Sequence, residues 1–475
     1  MAVVAPVGIA GNSEEYDCVV IGGGFAGLSA AVRLAREGAR TVVLEARSRL
    51  GGRATAFTDR ETGELVDNGQ HVLLGCYRET LSFLADIGAT ENVRSQPQLS
   101  LAMVDRAGRE SRLECPQLPS PFHLLAGVLE WDALAWRDRL SILRMATPLR
   151  VARQQLHEGR RGPQRIAASP GETVDNWLIR NGQTTRLREM LWEPLALAAL
   201  NQPPALAAAP VFARVLAEMF GADARSASIL LPIRPLDAMY AAPARSFIER
   251  HGGAVHTGAS AVVRIDGDAL GAVSTTGRVW AAKAVIAAVP WFAFGELFQG
   301  DTHSLRSILQ RASEVAASPI LTVNLWFDRR VMARPFLGLP GRSMQWVFDK
   351  AALFVGDDIV TSHLSMVSSG AAALVELDNA ELVAMAHREL MDAVPAVRSA
   401  RRMKGTVIRE PRATFSLAPG QPARPETVTP VAGLYLAGDW IETGLPATIE
   451  SAVRSGHWAA AAVLRQLAKG SSGHS

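Results

Sequence analysis

At 475 residues, 48% of them hydrophobic, the chain has length for two or three domains and can bury a large core. Lysine plus arginine number 49 against 46 aspartate plus glutamate, and the net charge of +3 gives no electrostatic case for a nucleic-acid partner. Three cysteines, Cys18, Cys76 and Cys115, follow no metal-ligand spacing, so no metal is expected and a reducing, cytoplasmic setting fits best.

The first fifteen residues lack a basic leader and read as a loose tail rather than a signal peptide. No run reaches about 18 uninterrupted apolar residues, so no membrane-spanning helix is expected. Asp17 to Ile21 (DCVVI) is a β-branched run that suits a buried strand. It leads directly into Gly22-Gly23-Gly24-Phe25-Ala26-Gly27 and then into a helical pattern that Gly38 closes. This is the glycine-rich turn of a dinucleotide site in its strand–turn–helix setting. Gly22 makes the turn, Gly24 lets a pyrophosphate approach the backbone, and Gly27 allows the helix to pack close to the strand. The phosphates then meet free N–H groups at Phe25 and Ala26. A second strand, Thr41 to Leu44, ends on Glu45, whose carboxylate can accept from ribose hydroxyls.

These residues leave NAD and FAD unseparated. After Glu45 comes a cationic loop, Ala46-Arg47-Ser48-Arg49-Leu50-Gly51-Gly52-Arg53. Glutamate followed by Gly-Gly-Arg resembles the flavoproteins of the amine oxidase and phytoene desaturase superfamily. That resemblance implies FAD, with Ala46, Arg47, Gly52 and Arg53 in a loop around it. The next block, Asp67-Asn68-Gly69-Gln70-His71 and on to Glu79, is similar to a narrower group, the bacterial hydroxysqualene dehydroxylases. It implies that Gly69, Gln70 and His71 lie near the isoalloxazine. The chemistry implied is reductive: an allylic C–O bond ionises with help from an acid, and hydride replaces the hydroxyl. His71 is the first candidate for that acid and Asp67 the second, because both fall in this block. Either can instead be structural, His71 as a bonded core residue and Asp67 as a turn cap.

From Leu124 to Arg165, apolar residues including Trp136, Leu140 and Leu143 interleave with arginines. The pattern suits a helix lying on a membrane surface, and equally a helix packed within its own domain. His251 to Ile265 resembles the family strand that meets the adenine, with Val262 as the match; a plain hairpin fits as well. Ala284 to Pro290 then returns as a strand. Ile320 to Phe327 is expected to lie over the flavin, with Thr322 where amine oxidases carry a lysine.

Near the end, a strand from Leu434 to Ala437 runs into Gly438-Asp439, and a helix is expected from Gly444 onward. The stretch resembles the FAD-binding end of plant-type phytoene desaturases and implicates Gly438, Asp439, Ala447, Thr448 and Ile449. Signals at both ends for one cofactor imply an α/β fold with an α+β substrate part. The Rossmann-like FAD-binding domain, of the amine oxidase/phytoene desaturase type, is then discontinuous. It takes residues 1–75, 241–299 and 411–475, and a mixed-sheet and helical substrate domain takes 76–240 and 300–410. The partner implied is a long isoprenoid, hydroxysqualene. A desaturase with electron flow reversed, an amine oxidase and a prenyl-binding carrier stay open, as does co-operation with squalene-pathway enzymes or peripheral membrane contact.

Overall fold

The computed structural model describes residues 15–60, 62–158, 166–221, 223–354 and 360–472. The expected tail at 1–14 and the end of the arginine-rich segment, 159–165, lie outside the described residues.

The strand Glu15–Ile21 is apolar on both faces because it is covered on both: Cys18 through Ile21 are all buried. It lies parallel to Thr41–Glu45 on one side and to Arg278–Ala287 on the other. Ala254–Thr257 adds beyond Thr41–Glu45, and Leu434–Leu436 beyond Arg278–Ala287, again in parallel. Three separate stretches of chain therefore build one sheet. Arg278–Ala287 also turns back through Ala269–Thr275 and Val262–Asp266 as an antiparallel meander. The helices Phe25–Arg36 and Ile449–Ser472 pack together on this sheet, and Ser29 Oγ donates to the Val453 carbonyl at 3.5 Å. Gly456 makes that approach feasible: a Cβ there would sit 2.2 Å from the Ala26 oxygen.

In a second, mixed sheet of seven strands, Ala317–Phe327 lies next to the edge strand Arg402–Phe415 and pairs on its other side with Ser362–Ser369. One face of Ala317–Phe327 buries Leu321, Val323, Leu325 and Phe327 with the two-residue period of a strand. The other face carries Ile320, Thr322 and Asn324.

Three readings need correction. The final helix starts at Ile449, not Gly444, because Gly444 to Thr448 form a turn whose last member caps it: Thr448 Oγ1 accepts from the Ser451 amide at 3.2 Å. Arg402–Phe415 runs through the expected boundary at 410/411, since it pairs with Ala317–Phe327 along nearly its whole length. The segment from Leu124 is no single helix. It comprises Phe122–Glu130, Trp136–Ser141, a turn at Ile142–Met145 and Ala146–Glu158, with Trp131 and Leu134 buried in the joints.

Candidate active site

One cavity of about 820 Å³ extends from the glycine turn of the first sheet to the helices after residue 121. At one end the turn is shaped by close packing: a Cβ on Gly27 would lie 1.9 Å from the Gly22 oxygen. Gly22, Gly24, Phe25 and Ala26 line the cavity, whereas Gly27 does not; it holds the helix against the strand. The helix Phe25–Arg36 has no side-chain cap at Gly24 and no acid in its first turn, so its free N–H groups are open to an anion.

Glu45 ends its strand in the cavity wall. Its carboxylate accepts from the Gly23 amide at 2.7 Å and from the Arg47 amide at 2.8 Å, bracing both loops. Ala46, Arg47, Gly52 and Arg53 line the cavity, and so does Val262, whose segment reaches Glu45 through the Ala259 amide. An uncapped helix start beside a carboxylate at a strand end fits the pyrophosphate and ribose of FAD.

Arg53 and Asp439, from opposite ends of the sequence, meet here. Both guanidinium nitrogens reach the carboxylate: Nη1 donates to Oδ2 at 3.1 Å and Nη2 to Oδ1. Nη1 also donates to the Ala413 carbonyl, and the guanidinium lies 5.2 Å from the Trp291 ring centre. Hydroxyls of the last helix hold this corner: Ser455 Oγ accepts from Gly438 N–H, and Ser451 Oγ donates to the Asp439 carbonyl. Gly438, Asp439, Ala447, Thr448 and Ile449 all line the cavity.

The segment Asp67 to His71 divides in two. Gly69, Gln70 and His71 line the cavity; Asp67 does not. The second candidate acid is turned away from the cavity into structural contacts, with Oδ2 2.6 Å from Lys350 Nζ and Oδ1 accepting from the Leu236 amide at 2.9 Å. Both side chains of the ion pair are almost wholly buried. Lys350 also donates to Gln70 Oε1 at 2.7 Å, and Gln70 Nε2 donates to the His71 carbonyl at 2.9 Å, which pins the cavity wall. His71 Nδ1 lies 3.1 Å from the Gly69 carbonyl. A carbonyl only accepts, so Nδ1 carries the proton and Nε2 is the free nitrogen. Burial, with Lys350 nearby, lowers the His71 pKa below its usual value against the opposing effects of Asp67 and the Gly69 carbonyl.

Thr322 is 1% exposed and does not line the cavity; Ile320 of the same strand does. Lys350, Glu410 and Glu450 join the site although no sequence motif marks them. Glu410 lines the cavity and accepts from Asn68 Nδ2 at 3.0 Å. Glu450 is buried and accepts from the Glu79 and Thr80 amides, capping the helix Arg78–Asp86. A signal for Lys350 existed: it is one of only four lysines among 49 basic residues, and it sits in the apolar run WVFDKAALF.

The far end of the cavity is apolar. Leu101, Met103, Phe336 and Phe348 line it from the second sheet, and Leu124, Val128, Leu149 and Leu195 from helices.

Hydroxysqualene dehydroxylase from Sinorhizobium fredii (strain NBRC 101917 / NGR234) is 29% identical over 452 residues, covering 93% of this chain and 96% of that one. A 15-cis-phytoene desaturase from an Oncidium hybrid cultivar is 27% identical over 477 residues, covering 96% of this chain and 79% of that one. Among solved structures, cyclohexylamine oxidase from Brevibacterium oxydans IH-35A has the same fold, with a TM-score of 0.71 at 16% identity over 96% of this chain and all of that one. The family model for flavin containing amine oxidoreductases matches residues 25–464. With its two ends closing on one flavin-sized cleft, the protein is an FAD-dependent oxidoreductase and belongs to the flavin containing amine oxidoreductase family.

Proposed function

We propose that the enzyme reductively removes the hydroxyl of hydroxysqualene to give squalene. The observation that carries this reading is the continuity of the cavity: its polar, FAD-binding end opens directly into an apolar end suited to a long isoprenoid. The resemblance to a hydroxysqualene dehydroxylase over nearly the full length of both chains supports it.

Alcohol plus reduced FAD gives hydrocarbon, water and oxidised FAD, which balances without another reductant. When bound in reduced form, FAD supplies the hydride that replaces the hydroxyl. The apolar walls exclude water from the allylic cation formed as the C–O bond breaks. His71 holds a proton at Nε2 and delivers it to the departing hydroxyl, while its Nδ1–H stays on the Gly69 carbonyl. Because His71 is depressed below the usual histidine range, its charged form is scarce at neutral pH but a strong donor.

The sign of the pH dependence follows. The reactive form is protonated, so log rate should fall with a slope approaching −1 above about pH 6.5. Stopped-flow re-oxidation of reduced flavin by hydroxysqualene measures it. His71→Gln should slow the step about 10²–10⁴-fold and flatten the slope; an unchanged profile would remove His71 from the step.

The reaction itself is tested by giving the photoreduced protein hydroxysqualene, squalene and phytoene separately under anaerobic conditions. Hydroxysqualene alone should be consumed, with one flavin oxidised per squalene formed. The desaturase relative favours a second reading, electron flow reversed. Bleaching of the flavin when phytoene is added to the oxidised protein, with hydroxysqualene untouched by the reduced one, would establish that one instead.

A further inference from the structure

The helices after residue 121 line the cavity with one face, through Leu124, Val128, Met145 and Leu149. Such helices normally turn polar side chains outward. Here Trp136 and Leu140, one turn apart on the helix Trp136–Ser141, are 67% and 52% exposed, and Leu143, in the turn that continues it, is 49% exposed, so the three form an apolar stripe. Phe122, at the start of the neighbouring helix, is 59% exposed. Leu143 belongs to both surfaces, lining the cavity while half exposed, and the lining residues Pro121 and Ala146 are exposed beside it. The cavity therefore meets solvent at an apolar stripe. Arg137, Arg144 and Arg150 are exposed on the same helical run, and the Arg139 guanidinium lies 4.9 Å from the Trp136 ring centre. Among the described residues no helix is long and apolar enough to cross a membrane.

We propose that this stripe docks in the plane of an anionic lipid bilayer, with the cavity mouth facing the acyl chains. An apolar ligand then passes between bilayer and site without crossing water. Tryptophan and leucine enter the acyl boundary, and the arginines meet lipid phosphates. A second copy of the chain fits less well: a two-fold contact would set identical stripes, each with its exposed arginines, against one another. The isoprenoid reading bears only on what passes through the mouth; the surface is tested without substrate.

The experiment is co-sedimentation of the flavin-loaded full chain with vesicles of phosphatidylcholine, with and without phosphatidylglycerol. The wild type should pellet with the anionic vesicles, less so at high salt. The double variant Trp136→Glu, Leu140→Glu alters two exposed residues that do not line the cavity. It should bind at least about tenfold more weakly, with flavin content and melting temperature unchanged. A wild type that stays in the supernatant overturns the proposal, and so does a variant that pellets equally. A wild-type dimer that the variant dissolves also overturns it, because a second copy then covers the stripe. Vesicle binding without turnover of hydroxysqualene would leave this surface standing and remove the reaction proposed above.

Discussion

Gly456→Val is expected to separate the two ends of the chain and to release FAD. Even the first carbon of the new side chain would fall 2.2 Å from the Ala26 oxygen and 2.3 Å from Ser29 Oγ. The first of these is backbone at the start of the helix Phe25–Arg36, so no rotamer change relieves it. The two helices must move apart, which costs about 1–3 kcal/mol or more in a packed core. The displaced turn lines the cavity with its free N–H groups, where the phosphates of FAD are expected, so flavin content should fall together with melting temperature. Gly470 lies in the same final helix with nothing within 4 Å of its Cβ position. Gly470→Ala should be neutral or stabilising by up to about 1 kcal/mol. Equal flavin content in the two purified variants would show that the contact does not govern the site.

Lys350→Met is the second substitution with a large expected effect. It removes the cation from an ion pair whose side chains are 3% and 2% exposed and leaves the buried Asp67 with the Leu236 amide but no countercharge. Breaking such a pair from one side costs about 3–5 kcal/mol. The double variant Lys350→Met, Asp67→Leu should recover much of that loss, and urea unfolding of the four proteins gives the coupling directly. A catalytic signature accompanies the loss of stability. Lys350 lowers the His71 pKa, so in the single variant the descending limb of the rate profile should move to higher pH. The bond from Lys350 to Gln70 also disappears, loosening the wall that carries His71. A single variant as stable as the wild type would mean that the pair contributes little to the fold.

The parts legible in sequence are those where local chemistry dictates local shape. The run DCVVI before three glycines can only be a covered strand meeting a tight turn, and Glu45 at the end of the next strand completes the pattern. Gly438-Asp439 after an apolar strand is similarly local. What sequence did not show is pairing between distant segments. Nothing near Arg53 announces Asp439, 386 positions away, and nothing near Asp67 announces Lys350, 283 positions away. The choice between acid and structural residue stayed open for Asp67 for this reason: its partner Lys350 begins the helix that follows a strand of the second sheet. Helix breaks between Leu124 and Glu158 were also hidden, because Trp131 and Leu134 keep the apolar spacing of a helix while packing in the joints.

The sheet that carries the glycine turn receives its outermost parallel strand, Leu434–Leu436, from a stretch more than 140 residues beyond its neighbour Arg278–Ala287. During synthesis on the ribosome, the strands at 15–21 and 41–45 emerge long before that partner exists. The glycine turn must wait, with one edge of its sheet unpaired, until nearly all the described chain has been made. Holding such an edge open invites wrong pairing with other chains. Cofactor binding is thereby expected to depend on late-made chain: a nascent chain stalled before residue 434 carries the glycine turn but lacks Asp439, the partner of Arg53, and should retain the nucleotide poorly.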